Sequence, residues 1–186
     1  MNMNGKEIEV TRTYLQINDP GEFTPTYVED ARLRIEEVKN CPASFHRFLY
    51  REVGRFYHWT DRLAWTDEET RAYLAQASLS LYVMYYAGAP AGYFELNKET
   101  DGATEIAYFG LLPEFIGKGL GKHLLSVAIQ KAWMQGASRV WLHTCTLDDA
   151  AALPNYLKRG FKAFKEEKYC TTIAPDEELR AKITGS

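Results

Sequence analysis

The chain has 186 residues, of which 46% are hydrophobic and 25% are charged. Both shares are near globular averages, so they exclude a wholly disordered, collagen-like or coiled-coil chain. The net charge of −3 argues against a broad nucleic-acid-binding or anionic-membrane surface and leaves a local basic patch open. The length predicts a single domain over residues 1–186, whose core needs no disulfides or metals.

Cysteine usage and hydropathy indicate the compartment. Cys41, Cys145 and Cys170 are odd in number and show no CxxC spacing, which indicates neither a disulfide framework nor a zinc cluster. Reduced thiols are typical of the cytoplasm. No apolar stretch approaches the ~18 residues needed to span a bilayer. We therefore expect a cytoplasmic protein without a membrane, nucleic-acid or metal partner.

The chain opens with two predicted strands. Residues 8–16 and 32–38 alternate polar with apolar or β-branched side chains, as half-buried strands do. The stretch between them is rich in Asn, Asp, Pro and Gly and predicts a loop. We interpret residues 1–30 as an N-terminal strand and loop extension.

Two helices are predicted next. Apolar residues in 44–53 recur at three- and four-residue steps, which predicts an amphipathic helix. Thr66 and Glu69 have the spacing of a capping box at the start of a second helix. Residues 56–65, between the two, are the densest aromatic segment of the chain.

The rest of the chain predicts a mixed sheet. Residues 79–87 and 91–96 predict a hairpin with its turn at 88–90. The elements predicted after it are a strand at 104–112, a long helix at 120–133, a strand at 139–144, a short helix at 154–159 and a strand at 161–172. The two strands around the long helix form a parallel, right-handed βαβ unit. The predicted fold class is α/β, with a central mixed sheet and helices on both faces.

A glycine-rich loop precedes the long helix. It reads Ile116-Gly117-Lys118-Gly119-Leu120-Gly121-Lys122. Missing Cβ atoms let a ligand approach the backbone amides, and the helix start adds about half a positive charge. Two lysines add full charges. The loop predicts a pyrophosphate site.

The spacing of the glycines excludes two common types of phosphate-binding motif. A P-loop would need Gly in place of Ile116 and Ser or Thr in place of His123. A dinucleotide-binding fingerprint needs GxGxxG and, about 20 residues later, an acidic residue where Val140 and Trp141 stand. The remaining alternative is a loop whose glycines serve only a tight turn and close helix packing.

This loop and a second motif resemble the GCN5-related N-acetyltransferase (GNAT) superfamily over residues 79–164. Residues 116–121 match both glycines of its Arg/Gln-x-x-Gly-x-Gly/Ala acetyl-CoA motif, with Ile116 at the Arg/Gln position. Residues 155–161 are similar to the family's LYxxxGF ending. The resemblance implies a GNAT-like acyl-CoA N-acyltransferase fold with splayed parallel strands, and acetyl-CoA as the cofactor bound by residues 79–164.

The resemblance also implies the cofactor contacts. Family members leave unpaired amides where the parallel strands separate, which corresponds to Phe109, Gly110 and Leu111. The glycine loop and Asn155 complete the predicted set.

Glu105 and Tyr156 are the candidate general base and general acid. Glu105 begins an apolar run, where a carboxylate is unexpected unless it faces solvent or a cleft, and is similar in position to the family's catalytic glutamate. It is the leading base; His143, Glu95 and an exposed glutamate without function are alternatives. The resemblance implies Tyr156 as the acid that protonates the CoA thiolate, the alternative being a packing tyrosine. We interpret Cys145 as an inert thiol.

The acceptor residues are expected in the aromatic segment. Trp59, Asp61, Arg62 and Trp65 lie where the family places its variable substrate-binding loop. An amine cation would stack on the indoles and pair with Asp61, or Arg62 would hold an acceptor carboxylate. Alternatively, both indoles close the core while Asp61 and Arg62 pair on the surface. His143 completes the predicted acceptor residues.

The predicted function is transfer of acetyl from acetyl-CoA to the primary amine of a small molecule, without an acyl-enzyme. The alternatives are a catalytically silent acyl-CoA-binding or regulatory module and a protein or peptide acetylase. Family members are often dimers, so a homodimer is a further expectation.

Overall fold

A computed structural model describes residues 6–173, which form one seven-stranded mixed sheet with helices on both faces. The strands are β1 (Lys6–Ile17), β2 (Leu33–Glu37), β3 (Leu79–Tyr86), β4 (Ala89–Lys98), β5 (Thr104–Leu111), β6 (Val140–Cys145) and β7 (Lys162–Ile173). The helices are α1 (Ala43–Val53), α2 (Asp67–Leu74), α3 (Leu120–Met134) and α4 (Ala152–Lys158). Short 3₁₀ turns lie at Pro20–Glu22, Gly54–Phe56 and Pro113–Phe115. The ends of the predicted domain, residues 1–5 and 174–186, lie outside the described residues.

The sheet confirms the predicted α/β architecture. Its strand order is β2-β3-β4-β5-β6-β1-β7, and β5 and β6 are parallel, as the βαβ pattern predicts. The capping box of α2 is present, with Glu69 N donating to Thr66 Oγ1 at 3.2 Å. The hairpin turn differs from the prediction. Ala87 and Gly88 form it with positive φ values, a geometry that matches strand twist, so β4 already begins at Ala89.

Strands β5 and β6 separate soon after they begin. They pair only through Thr104 and Glu105 of β5. The register of β5 against β4 shifts between Ile106 and Tyr108, which leaves Ala107 as an extra, bulged residue. A bulge bends its strand and ends regular pairing. The predicted splayed strands are therefore confirmed, and the β5 edge beyond Glu105 faces a gap.

Two apolar cores position the helices. The larger lies between the sheet and α3 and α4, and the smaller lies under α1. The buried residues that α3 contributes follow the predicted stripe and are at most 3% exposed: Leu120, Leu124, Leu125, Ala128, Ile129 and Ala132. Phe94 belongs to the larger core and its neighbour Tyr93 to the smaller, so the two cores lie on opposite faces of the sheet.

The N-terminal strand lies inside the sheet. β1 is antiparallel to both β6 and β7 and separates them. The segment after it crosses α3, where Thr26 N donates to Ser126 Oγ at 2.9 Å and Val28 N donates to His123 Nδ1 at 3.0 Å. The predicted N-terminal extension thus supplies a wall of the region beside β6.

Candidate active site

A cavity of about 860 Å³ opens where β5 and β6 separate. The β5 edge, the glycine loop, α4 and the loop between α1 and α2 (residues 57–66, called the α1–α2 loop) form its walls. Residues of β1, β6 and β7 close the remaining side. This volume is in the range of small-ligand sites. Glu105 and Tyr156, the predicted base and acid, both line it.

The glycine loop forms one end of the cavity. Gly117 and Gly119 adopt left-handed backbone geometry, with φ of 78° and 72°. α3 begins directly after Gly119, so its first amides have no partner within the helix. Gly121 and Lys122 also line the cavity. Free amides, a helix start and a cation together favour an anion at this end.

Arg159 adds an unneutralised positive charge to the same cavity. It is 8% exposed, and its Nε and Nη1 atoms find no hydrogen-bond partner among residues 6–173. Burying a guanidinium without partners is costly, so the site favours a ligand that supplies acceptors. With Lys122 and the glycine loop, Arg159 makes the chain fit a ligand that carries phosphates.

Glu105 lines the cavity where β5 leaves β6. Burial, and then the negative charge of Glu99, raise the pKa of its carboxyl to about 7, from the usual 4.5. Within the described residues, its side chain forms no hydrogen bond or ion pair. A carboxylate that is free and titrates near neutrality is suited to accept a proton.

Tyr156 projects from α4 into the same cavity. Its ring packs against Phe109 and Phe161, with ring centroids 6.1 Å away in each case. Burial, and then the charges of Asp148 and Asp149, raise the pKa of its phenol well above the usual 10. The hydroxyl therefore stays protonated at neutral pH and can donate a hydrogen bond, although the raised pKa makes it a weaker acid than a free phenol.

His143 and Cys145 follow each other along the β6 wall. Desolvation in the cavity, and then the positive charge of Arg12, lower the pKa of His143, so it is neutral at pH 7. Burial, and then the negative charge of Asp148, raise the pKa of the Cys145 thiol. A thiol held protonated is a poor nucleophile. This agrees with the interpretation of Cys145 as inert.

The α1–α2 loop forms a further wall of the cavity. Tyr57 donates its hydroxyl to Asp149 Oδ2 at 3.0 Å, which joins the loop to the start of α4 across the cavity. Asp61 Oδ2 accepts the Tyr108 hydroxyl at 3.3 Å. The Trp59 ring lies 5.0 Å from the Tyr108 ring. The loop thus presents a carboxylate and an indole to the cavity.

Close packing holds Trp59 in place. A Cβ on Gly54 would lie 2.6 Å from the Trp59 Cβ, and one on Gly110 would lie 2.4 Å from Val53 Cγ1. Neither distance is tolerated between carbon atoms, so glycine is required at both positions. Trp59 is therefore at once a core residue under α1 and a wall of the cavity.

A buried ion pair fixes the far end of the α1–α2 loop. Arg62 Nη1 lies 3.0 and 2.9 Å from the two carboxylate oxygens of Glu95 on β4. His46 Nε2 lies 2.9 Å from Glu95, and Tyr73 donates its hydroxyl to Glu95 at 2.6 Å. The guanidinium carbon lies 4.0 and 4.1 Å from the Tyr73 and Tyr108 rings. Every oxygen of Glu95 has a donor, so the loop is firmly anchored.

Comparison with known proteins identifies the family of this chain. Residues 46–161 match the model of the acetyltransferase (GNAT) family, which is more than half of the chain. The chain belongs to the GNAT family. Its sequence matches no curated protein.

Solved structures share the fold of this GNAT chain. A GCN5-related N-acetyltransferase from Kribbella flavida superposes with a TM-score of 0.62 at 22% identity, over 92% of this chain and 60% of its own. One from Sphaerobacter thermophilus gives 0.66 at 16%, over 92% and 54%. An aminoglycoside acetyltransferase from an uncultured soil metagenomic sample, in complex with trehalose, gives 0.57 at 18%, over 70% and 89%. The chain spans little more than half the length of the first two.

Most residues predicted for the GNAT site line the cavity. They are Trp59, Asp61, Arg62, Glu105, Phe109, Gly110, Leu111, Ile116, Gly117, Gly119, Gly121, Lys122, His143, Asn155 and Tyr156. Three predicted residues lie outside its lining. The Lys118 amine lies over the Phe115 ring at 5.2 Å, Leu120 is 3% exposed in the core, and the Trp65 ring packs 5.4 Å from that of Tyr73.

Three expectations about these residues change. Arg62 offers no free charge to an acceptor carboxylate, because Glu95 already pairs with it. Glu95, an alternative base, is 0% exposed and lies outside the cavity lining, so it is not placed to meet an amine. Asp61 does not pair with Arg62 at the surface; the Tyr108 hydroxyl donates to it instead.

Sequence patterns miss several site residues. Arg12, Tyr169 and Thr171 line the cavity from β1 and β7, and Arg159 lines it from the end of α4. The sequence does show Arg12 within an alternating, largely apolar strand. That arginine indicates a site residue only when β1 is known to lie beside β6, and this pairing joins residues over 120 positions apart.

Residues 6–173 contain neither a membrane-spanning helix nor a group of metal ligands. No helix among them is long and apolar enough to cross a bilayer. Within residues 6–173, no three His, Cys, Asp or Glu side chains are grouped to hold a metal ion. Cys41, Cys145 and Cys170 are free.

Proposed function

We propose that this GNAT protein is an acetyl-CoA-dependent N-acetyltransferase that acts directly on the primary amine of a small molecule in the cytoplasm. The observation that carries the proposal is Glu105. It is a carboxylate with a pKa of about 7 and no hydrogen-bond partner among the described residues, and it shares a cavity with a phosphate-binding glycine loop. Free cysteine thiols favour the reducing compartment.

The chain fits a CoA donor at three places. Gly117–Lys122 and the start of α3 would receive the pyrophosphate, with Lys122 and Arg159 supplying charge. The β5 edge from Phe109 to Leu111 has no strand partner on the β6 side, so its polar groups are available to the pantetheine amides. Asn155 lines the adjacent wall. Acetyl-CoA supplies the activated acetyl thioester.

Two residues of the chain carry the proton transfers, Glu105 as the base and Tyr156 as the acid. Glu105 takes a proton from the acceptor ammonium and so produces the nucleophilic amine. Unpaired β5 amides stabilise the charge that develops on the thioester oxygen. Tyr156 gives its phenolic proton to the departing CoA thiolate. The α1–α2 loop, joined to Asp149 by Tyr57, shields the reaction from water.

Direct transfer is supported by the state of Cys145. It is the cysteine that lines the cavity, and its raised pKa keeps it as a thiol. An acyl-enzyme would need a thiolate there. The Tyr57–Asp149 hydrogen bond links two segments that line the cavity, which also favours a small acceptor over a protein segment.

The proposal is tested by measuring the thiol released from acetyl-CoA over a panel of small amines and short lysine peptides. Release with at least one small amine, above hydrolysis, supports it. Tight CoA binding with no release on any acceptor would instead establish a silent acyl-CoA-binding module. Preference for peptides by an order of magnitude would establish a peptide acetylase.

We expect Gly119→Glu to weaken CoA binding about 100-fold. Gly119 has φ of 72°, which costs a side-chain-bearing residue about 1–2 kcal/mol, and the new carboxylate repels a pyrophosphate. Calorimetric titration of CoA measures the change. Gly136→Glu is the matched control, since Gly136 has φ of 79° at the other end of α3. Equal affinities in the two variants would remove the glycine loop from the CoA site.

We expect Tyr156→Phe to lower kcat about 10- to 100-fold with little change in CoA affinity. A thiolate is a good leaving group, with a pKa near 8.5 for a free thiol, so acid assistance contributes less here than base assistance. Tyr82→Phe is the control, because the Tyr82 hydroxyl bonds to Gln135 away from the cavity. A Tyr156→Phe enzyme with wild-type kcat would show that another group protonates the thiolate.

A further inference from the structure

The sheet register places three cavity residues on one face with Glu105. Paired residues of neighbouring strands share a face, and successive residues alternate. Glu105 of β5 pairs with Trp141 of β6, so His143 and Cys145 lie on the face of Glu105. Cys145 pairs with Arg12 of β1. Arg12 therefore reaches the cavity on the same side as the proposed base.

The Arg12 guanidinium is available to a ligand. It lines the cavity, and its Nε is buried without a hydrogen-bond partner among residues 6–173. No carboxylate within the described part of the chain lies within ion-pair distance of it. Its cross-strand neighbour Glu167 is engaged by the Tyr14 hydroxyl at 2.7 Å and by Lys165. The positive charge thus projects into the cavity without being neutralised.

The surroundings of Arg12 fix its position and its charge. The Tyr169 ring lies 5.0 Å from the guanidinium carbon, which holds the group by a cation–π contact. Desolvation would lower the pKa of Arg12, but the phenols of Tyr14 and Tyr169 outweigh it, and the pKa is raised. The Arg12 charge also acts to lower the pKa of His143, while the charges of Asp148 and Asp61 act to raise it.

Carboxylates line the cavity as well. Glu105 lies at the start of β5, away from Arg12, and Asp61 lies on the α1–α2 loop, where it accepts the Tyr108 hydroxyl. Asp148 lies nearer Arg12 and already accepts hydrogen bonds from Thr144 Oγ1 and Cys145 N. A cavity with a carboxylate at one end that has no partner among the described residues, and an unpaired guanidinium at the other, is complementary to a ligand with an ammonium and an anion at its two ends. One unpaired guanidinium matches a single negative charge.

We propose that Arg12 binds the carboxylate of an acceptor that carries its amine at the other end, so the substrate class is amino acids in which the two groups are separated by several bonds. This inference rests on the proposed function. The separation follows from strand geometry. Glu105 and Arg12 are four residues apart along β6 and two strands apart across it, on the order of 16 Å between Cα atoms. Side chains of strands stand roughly perpendicular to the sheet, so they shorten this separation only in part, and a longer spacing between amine and carboxylate suits the remainder.

The experiment compares substrates that differ only in the carboxylate. The wild-type enzyme is assayed with a series of ω-amino acids, from glycine to 8-aminooctanoate, and with n-alkylamines of equal length. For the best chain length, we expect kcat/KM of the amino acid to exceed that of the amine by about 10- to 100-fold, the range for a hydrogen bond to a charged group. The excess should lie mainly in KM and should peak at an intermediate length.

Variants assign the preference to Arg12. Arg12→Gln should bring the ratio of amino acid to amine close to one, and Arg12→Lys should keep part of it because the charge remains. Arg139→Gln is the matched control, since Arg139 bonds to Gln16 and lies outside the cavity lining. A second readout needs no turnover: the preferred ω-amino acid should raise the Tm of the wild-type protein and not that of Arg12→Gln.

The outcomes separate this inference from the proposed function. Equal kcat/KM for every pair in the wild-type enzyme overturns the role of Arg12 and leaves N-acetylation standing. A preference that persists in a folded Arg12→Gln variant also overturns it. Thiol release with no amine of either series overturns this inference, and release with none of the wider amine and peptide panel removes the proposed function as well. The wild-type comparison decides the question even where a variant fails to fold.

Discussion

Replacing Glu105 by glutamine should lower kcat/KM about 10²- to 10⁴-fold at pH 7, the usual contribution of a general base. An acceptor amine arrives as ammonium and is not nucleophilic until a proton leaves. Glutamine keeps the shape of the side chain and cannot take that proton. CoA affinity should be unchanged, because Glu105 lies at the end of β5 away from the glycine loop.

The pH profile distinguishes this role from a structural one. The carboxyl of Glu105 has a pKa of about 7, so the wild-type rate should rise with pH and level off above that value. In Glu105→Gln this limb should disappear, and the rate should follow the acceptor's own free-amine fraction. Glu99→Gln removes the negative charge that raises the Glu105 pKa, so it should move the limb to lower pH. A limb near pH 7 that survives in Glu105→Gln would show that a group other than Glu105 is the base.

Stability gives an independent check on the same carboxyl. A pKa raised from 4.5 to about 7 means that folding favours the protonated form. The associated stability is complete below pH 4.5 and is lost as pH rises through 7. Relative to wild type, Glu105→Gln should therefore gain stability as pH rises over this range. Chemical unfolding at pH 4.5 and pH 8 measures the difference.

The fold was largely predictable from sequence because its signals are local. The stripe of α3, the capping box of Thr66 and Glu69 and the hairpin of β3 and β4 each depend on residues a few positions apart. The glycine loop was predictable for the same reason. Its proposed function depends on backbone amides that follow one another, so spacing is enough to predict an anion site, although it leaves open a loop that serves only a tight turn.

The acceptor side was predictable only in part, because it depends on pairings between distant segments. Aromatic density located the α1–α2 loop, and Trp59 and Asp61 do line the cavity. The pattern could not show that Arg62 turns to Glu95, since a buried ion pair leaves no local periodicity. It could not place Arg12 either, because the insertion of β1 between β6 and β7 is a property of topology.

The buried network around Glu95 carries the second large effect. Glu95→Gln should lower the free energy of unfolding by about 3–5 kcal/mol, because it leaves the Arg62 guanidinium, 8% exposed, without its counter-charge. Denaturant titration measures the loss. Glu52→Gln is the control, since Glu52 pairs with Arg55 at the surface and should change stability by less than about 1 kcal/mol.

The Glu95–Arg62 ion pair also sets the protonation of Glu95 and the position of the α1–α2 loop. Burial would raise the pKa of the Glu95 carboxyl, but the His46 hydrogen bond and the Arg62 charge outweigh it, and the pKa is lowered. Its stabilisation is therefore present above pH 4.5 and is lost as pH falls below that value.

A double variant that also replaces Arg62 by methionine should recover much of the stability lost in Glu95→Gln, because no unpaired charge remains. Since Arg62 anchors the α1–α2 loop, the double variant should still show a raised KM for the acceptor. Wild-type KM in that folded variant would show that the loop is positioned without the ion pair.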